Sequence, residues 1–184
     1  LQPSEGQDWR IIPLAEVADP AGALAGIDDI FFRSSATQSF ASEEIRAAFR
    51  ERWLGRYLQH DPDLVFVAVA ADGGIAGYIV GATEDPALLE RFADLPFTKA
   101  FAHLSRDYPA HLHVNCAPQW RSRGIGAALV ARLAAEAKAR GARGLHLVTG
   151  ARSRNRAFYE REGFAELGRF GEGDKQAVFL ARAL

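Results

Sequence analysis

Between Ala110 and Leu129 the sequence AHLHVNCAPQWRSRGIGAAL shifts from the two-residue period of a strand to the period of a helix, about 3.6. The shift falls on an arginine- and glycine-rich turn. His111, His113 and Asn115 alternate with Leu112, Val114 and Cys116, the pattern of a strand with one polar and one apolar face. Pro118 ends the ladder because it has no N–H to donate. Arg121-Ser122-Arg123-Gly124-Ile125-Gly126 then leads straight into an alanine-rich helical run. Gly124 and Gly126 let a ligand approach the backbone, and the first N–H groups of a helix have no intrahelical partners. Those donors, the helix dipole and the charges of Arg121 and Arg123 together make a site for a diphosphate.

Two other phosphate loops are excluded by the same residues. A dinucleotide fingerprint fails at its third glycine, where Leu129 stands, and a Walker A loop fails because no Gly-Lys-Ser/Thr follows.

Upstream, residues 1–8 are polar and read as a frayed end. Trp9–Leu14 is a short apolar edge strand, and Pro20 to about Arg33 is a helix carrying Leu24, Ile27, Ile30 and Phe31. Ser42 is a good N-cap ahead of Glu43 and Glu44. Ile45, Phe49, Trp53 and Tyr57 follow at spacings of four and read as one core-facing stripe. Leu64–Ala71 is a strand buried on both faces, Asp72-Gly73-Gly74 a hairpin turn, and Ile75–Ala82 the returning strand, with Gly77 and Gly81 open to close approach. Asp85 caps a helix beginning at Pro86, and Pro86–Tyr108 reads as one or two helical pieces broken near Asp94-Leu95-Pro96. That long link either helps to line a site or only packs.

Downstream of the turn, Ile125, Leu129, Leu133 and Ala137 form the buried stripe of a long helix ending at Gly141. Leu145–Val148 is the next strand. A helix starting at Ser153 or Asn155 carries Phe158 and Tyr159 and stops at Gly163, and Phe164–Arg169 with Gln176–Leu180 closes the chain as a hairpin. This order gives an α+β fold in a single domain, residues 1–184, with one layer of sheet and helices on both faces.

Composition bounds the partners. The 184 residues carry a net charge of −1, which gives no reason to expect nucleic acid or an anionic membrane. No apolar run approaches the roughly 20 residues of a membrane helix, and no signal-peptide pattern opens the sequence. It starts at Leu1 without methionine, which leaves the native start open. A single cysteine cannot form an internal disulfide, in keeping with a reducing, cytoplasmic setting. The five histidines are scattered apart from His111 and His113, so no metal site is expected. The last hairpin exposes an edge strand that could pair with a second copy as a homodimer.

Two motifs carry a resemblance to a family. Arg121-x-x-Gly124-x-Gly126, after a strand and opening a helix, resembles the acyl-CoA motif of the GNAT superfamily of N-acetyltransferases. Asn155-Arg-Ala-Phe158-Tyr159-Glu-Arg-Glu-Gly163-Phe164 resembles the family's closing helix and turn. Together they span about the last 70 residues, and their order, with one strand between them, matches the family. The resemblance implies a mixed, mostly antiparallel central sheet of about seven strands and the transfer of an acetyl group from acetyl-CoA to a primary amine. Attack would be direct, in a ternary complex, on a small-molecule or protein acceptor. A non-catalytic acetyl-CoA-binding or protein-interaction domain is the alternative.

The resemblance also assigns roles. N–H groups of Arg123, Gly124, Gly126 and Ala127, with Ser122 and Ile125 in the same turn, would cradle the diphosphate, and Arg121 and Arg123 would add charge. In the family the fourth strand splays from the fifth, so backbone near Val114, Asn115 and Cys116 would hold the pantetheine arm and the acetyl carbonyl. Tyr159 matches the family's general acid, or is a half-buried aromatic. Phe158 belongs to the same helix. His111 or His113 could act as base, or both could be structural. Cys116 is a nucleophile or, as is commoner, a small buried hydrophobe. The family often carries an asparagine seven residues before its tyrosine, but here that position is Arg152. Asn155 either touches the cofactor or caps its helix. Arg152, Arg154 and Arg156 would meet a 3′-phosphate or face solvent. The tail, Phe97–Arg121 with Arg143–Leu184, also resembles the acetyltransferase-like C-terminal domain of O-GlcNAcases.

Overall fold

The computed structural model describes residues 8–184, except for the side chain of Lys175. The frayed end expected over residues 1–8 therefore lies almost wholly outside the described residues. In chain order the elements are β1 (Trp9–Pro13), α1 (Pro20–Ser34), α2 (Glu43–Arg50), α3 (Arg56–His60), β2 (Val65–Ala70), β3 (Ile75–Ala82), α4 (Pro96–Ala100), α5 (Ala102–Ser105), β4 (Ala110–Cys116), α6 (Ile125–Ala139), β5 (Gly144–Gly150), α7 (Arg156–Arg161), β6 (Ala165–Phe170) and β7 (Ala177–Ala183). Among the described residues the strands form one seven-stranded sheet ordered β1-β2-β3-β4-β5-β7-β6, so β1 and β6 are the edges expected for the first strand and the last hairpin. No helix among the described residues is long and apolar enough to cross a membrane.

The chain divides into two compact units, one of residues up to Gly81 with His113–Leu133, the other of Ala82–Leu112 with Ala134–Leu184. The boundary runs through β4 and α6. In the first unit β1 pairs antiparallel with β2 from Trp9↔Ala70 to Pro13↔Phe66, and β2 with β3 from Val65↔Val80. Gly73, at a φ of 86°, makes the hairpin turn as read from Asp72-Gly73-Gly74. β2 is almost wholly buried, which is why its sequence shows no alternation. Asp19 caps α1 by accepting from the Gly22 N–H at 3.0 Å, and Ser42 caps α2 by accepting from Ile45 at 3.3 Å.

The four-residue stripe of this unit differs from its reading. A π-helical turn, Glu51–Gly55, separates α2 from α3, and the Arg56 N–H donates to the Glu51 carbonyl five residues back. Ile45, in the first turn of α2, is 53% exposed while Tyr57 in α3 is only 3% exposed, so the stripe is not one core face.

In the second unit β4 begins in parallel register with β5 at Ala110↔Leu145 and His111↔His146. β5 pairs antiparallel with β7 along its whole length, Gly144↔Ala183 to Gly150↔Ala177, and β7 with β6. The link Pro86–Tyr108 is more broken than its one or two pieces. Pro86–Leu88 and Glu90–Phe92 are single 3-10 turns, followed by α4 and α5. Asp85 does cap the first turn, accepting from Ala87 at 2.9 Å. Phe101 and Phe179 anchor the local core with Phe97, Leu104 and Tyr108 packed around them. Ile125, Leu129, Leu133 and Ala137 of α6 are all buried, as their spacing requires, and Gly141 ends the helix at a φ of 87°.

Candidate active site

The turn before α6 is built by its backbone. Pro118–Trp120 forms a 3-10 turn, Arg121 is extended, and Ser122 and Gly124 take positive φ of 61° and 79°. The two left-handed residues turn the chain sharply into the helix and leave its first N–H groups at an open end. The first helical bond runs from the Ala128 N–H to the Gly124 carbonyl at 3.0 Å, so the donors of Ile125, Gly126 and Ala127 precede the intrahelical ladder. A side-chain carbon placed on Gly124 would meet nothing within 4 Å, so the space beside the turn is open. Arg121 through Gly124 are exposed. The Arg121 guanidinium donates to the Cys116 carbonyl at 3.3 Å and to the Ser34 hydroxyl at 3.4 Å, and that of Arg123 lies 4.9 Å from the Trp120 ring centre. The turn thus brings together Arg121, Ser122, Arg123, Gly124, Ile125, Gly126 and Ala127, with two held cations and a helix N-terminus.

On the adjoining part of β4, Val114, Asn115 and Cys116 are half-buried. Gly77 of β3 sits behind them. A carbon added there would lie 3.1 Å from the Asn115 carbonyl, the Cys116 Sγ and Ile125 Cγ2. The close approach foreseen at Gly77 is therefore that of β4 itself and of α6. The Asn115 side chain turns to the other face of the sheet and donates to the Tyr78 hydroxyl at 2.9 Å. Burial pushes the Cys116 thiol up to about 11, against a smaller opposing pull from Arg121. It is a thiol rather than a thiolate at neutral pH, which fits the small-hydrophobe reading.

His113 is half-buried, with the rings of Trp53 and Tyr57 edge-on to its imidazole at centroid distances of 5.9 and 5.4 Å. His111 lies in different surroundings. It is 5% exposed, stacked on His146 at 5.5 Å and met edge-on by Phe92 at 4.9 Å. The alternation read on β4 thus does not give an evenly solvated polar face, because His111 is buried among rings and His113 is half-buried beside two of them.

In the second unit Tyr159 is 4% exposed and packs edge-on against Phe158 at 5.0 Å and Phe164 at 5.7 Å. Gly163, at a φ of 84°, ends α7 where the motif places it. Asn155 precedes α7 but caps nothing with its side chain, and its Oδ1 accepts from the Thr149 hydroxyl at 3.2 Å. Of the cationic run, Arg152 pairs with Asp174 at 2.7 Å, and Arg156 with Glu166 at 2.7 Å while donating to the Ala151 carbonyl at 3.1 Å. Arg154 is exposed. Asp174 and Glu166 thus pair with two of the three arginines of the run. Among the described residues no group of three or more His, Cys, Asp or Glu could hold a metal ion.

Sequence reasoning missed Trp53, Tyr57 and Tyr78. The first two were absorbed into an apolar stripe, and Tyr78 into a buried strand. The available signal was the hydroxyl that each tyrosine brings into an otherwise apolar run, since a buried hydroxyl needs a partner.

Solved structures with the same overall path include the protein described as SsHAT, with 22% identity, a TM-score of 0.75, and coverage of 96% of this chain and 98% of that one. A GCN5-related N-acetyltransferase from Kribbella flavida is 16% identical at a TM-score of 0.63, with 96% and 98% covered. The polyamine N-acetyltransferase of Drosophila melanogaster, which forms N-acetylagmatine, is 13% identical at 0.65, with 96% and 100% covered. At these identities the likeness is one of fold, and it does not bear on the resemblance to the O-GlcNAcase domain. The model of the Acetyltransferase (GNAT) family matches residues 29–164, a span that takes in the end of α1, β4, the turn at Arg121–Gly126 and all of α7. With that match over well more than half its length, and a seven-stranded sheet in which β4 and β5 run parallel, this chain belongs to the GNAT acetyltransferase family.

Proposed function

We propose that this protein transfers an acetyl group from acetyl-CoA to a primary amine of a small-molecule or protein acceptor, by direct attack in a ternary complex. The observation that carries the reading is the turn at Arg121–Ala127. Positive φ at Ser122 and Gly124, open space at Gly124 and three N–H groups ahead of the first helical bond suit a diphosphate. Acetyl-CoA would supply the activated acetyl group. Every other part of the chemistry belongs to the chain.

Arg121 and Arg123 add charge to the cradle, and the tethers of Arg121 to Cys116 and Ser34 hold one of those charges in place. The backbone of Val114–Cys116 would hold the pantetheine arm and polarise the acetyl carbonyl. The parallel ladder of β4 with β5 covers Ala110 and His111, ahead of these residues. Of the two histidines, His113 is the better base. It is half-buried, so an amine or a bridging water can reach it, whereas His111 is packed between Phe92 and His146. Tyr159 would return a proton to the departing thiolate. The protonated Cys116 thiol supports direct attack over an acyl-cysteine.

Calorimetric titration with acetyl-CoA, with CoA beside it, tests the reading. Micromolar binding that is lost in folded Gly124→Asp or Gly126→Asp variants supports it, and an amine screen then identifies the acceptor. Absence of binding to the folded parent removes it. Binding without turnover of any amine would leave the non-catalytic alternative in its place.

A further inference from the structure

We infer that Trp53 and Tyr57, one within and one just beyond the π-helical turn Glu51–Gly55, are positioning residues that hold the imidazole of His113 in the orientation from which it takes the amine proton. This rests on the acetyltransferase reading above.

The two rings meet His113 at 82° and 78° to its plane. Two edge-on contacts from one helix limit rotation of an imidazole about both of its side-chain torsions, which a single neighbour cannot do. Trp53 lies within the π-helical turn Glu51–Gly55, and Tyr57 just beyond it in α3. Such turns are rare and recur at functional sites. The next polar side chain on the same face of β4 is also held by an aromatic residue, Asn115 by the Tyr78 hydroxyl. Both polar groups of His113–Cys116 are thus fixed from outside the strand, as a preorganised proton acceptor and its neighbour require.

The test compares the parent with Trp53→Leu, Tyr57→Leu and Tyr57→Phe in two measurements. One is steady-state acetylation of an amine found by the screen. The other is the side-chain three-bond couplings of His113 in isotopically labelled protein, which need no acceptor. Loss of either ring should lower kcat about tenfold while KM for acetyl-CoA stays within about twofold. It should also turn single-rotamer couplings at His113 into averaged ones. Tyr57→Phe, which keeps the ring, should keep the single-rotamer couplings and lose far less kcat than Tyr57→Leu. Trp53 is half-buried, so its variant remains informative if Tyr57→Leu fails to fold. Unchanged couplings and kcat in Trp53→Leu, or a loss in Tyr57→Phe as large as in Tyr57→Leu, would overturn the inference. If no amine is acetylated, the functional reading fails, and the couplings still decide whether the rings hold His113.

Discussion

His146 lies almost flat against Phe179, with ring centroids 4.5 Å apart and planes 19° from parallel. Its Nδ1–H donates to the Tyr108 carbonyl, which fixes the neutral tautomer. Burial outweighs that bond and the pull of Asp85, and takes the imidazole down to about 4 from its ordinary 6.5.

A pH dependence of stability follows. The unfolded chain binds a proton at His146 below about pH 6.5, whereas the folded one does so only near 4. The stabilisation from keeping His146 neutral is therefore complete above pH 6.5 and is lost as the pH falls toward 4. The slope approaches about 1.4 kcal/mol per pH unit, or about 2 kcal/mol between pH 6 and 4.5. Urea unfolding at pH 7.5, 6 and 4.5 should show this loss in the parent and a smaller one in His146→Phe. Parallel curves for the two proteins would assign acid sensitivity to other groups.

Gly77→Ala should disturb the site from behind. Its new carbon would lie 3.1 Å from the Asn115 carbonyl, Cys116 Sγ and Ile125 Cγ2, and a backbone oxygen yields less readily than a side-chain tip. The expected cost is about 1–2 kcal/mol. Weaker acetyl-CoA binding should accompany it, because β4 is displaced where Val114–Cys116 would meet the cofactor. Calorimetry and thermal unfolding read the two effects separately, and parental values for both would mean that the strand yields without consequence.

Cys116→Ala should retain acetylation. With its thiol pushed up to about 11, Cys116 is unsuited to form an acyl-enzyme, and the protein mixed with acetyl-CoA should show no acetyl adduct at that position by mass spectrometry. For the same reason thiol reagents should modify the parent slowly at pH 8. An adduct on Cys116 together with loss of turnover in the alanine variant would reverse this view.

Tyr159→Phe isolates one hydroxyl in a side chain that is otherwise held by Phe158 and Phe164. The variant should fold as the parent does and bind acetyl-CoA with the same affinity. Its kcat should fall by about 100-fold, the contribution expected of a positioned acid. Turnover equal to the parent with a good acceptor would remove Tyr159 from that role.

Much of this architecture is legible where the information is local. Ser42 precedes two glutamates, Asp85 precedes Pro86, and Gly73, Gly141 and Gly163 stand where φ must be positive, so caps and turns can be read directly. The stripe Ile125-Leu129-Leu133-Ala137 is legible because a helix against a core has only one face to bury. The turn before α6 is legible for a related reason. Its donors are backbone groups, and glycine spacing and helix onset alone fix where they are.

Residue order alone was enough for the main strands and helices, the turn before α6 and the family to which both motifs point. Tertiary structure decided the surroundings of the polar side chains. The alternation on β4 marks His111, His113 and Asn115 as sharing a face, but not what covers it. Phe92 and His146 enclose His111, Trp53 and Tyr57 bracket His113, and Tyr78 holds Asn115. These partners stand between 19 and 60 residues away from the side chains they hold except where helix and strand bring them together, and their rings read as ordinary core. The π-turn and the broken link Pro86–Tyr108 have the same origin. Local propensity favours regular helix in both, and packing over long sequence separations overrides a preference worth only tenths of a kcal/mol per residue.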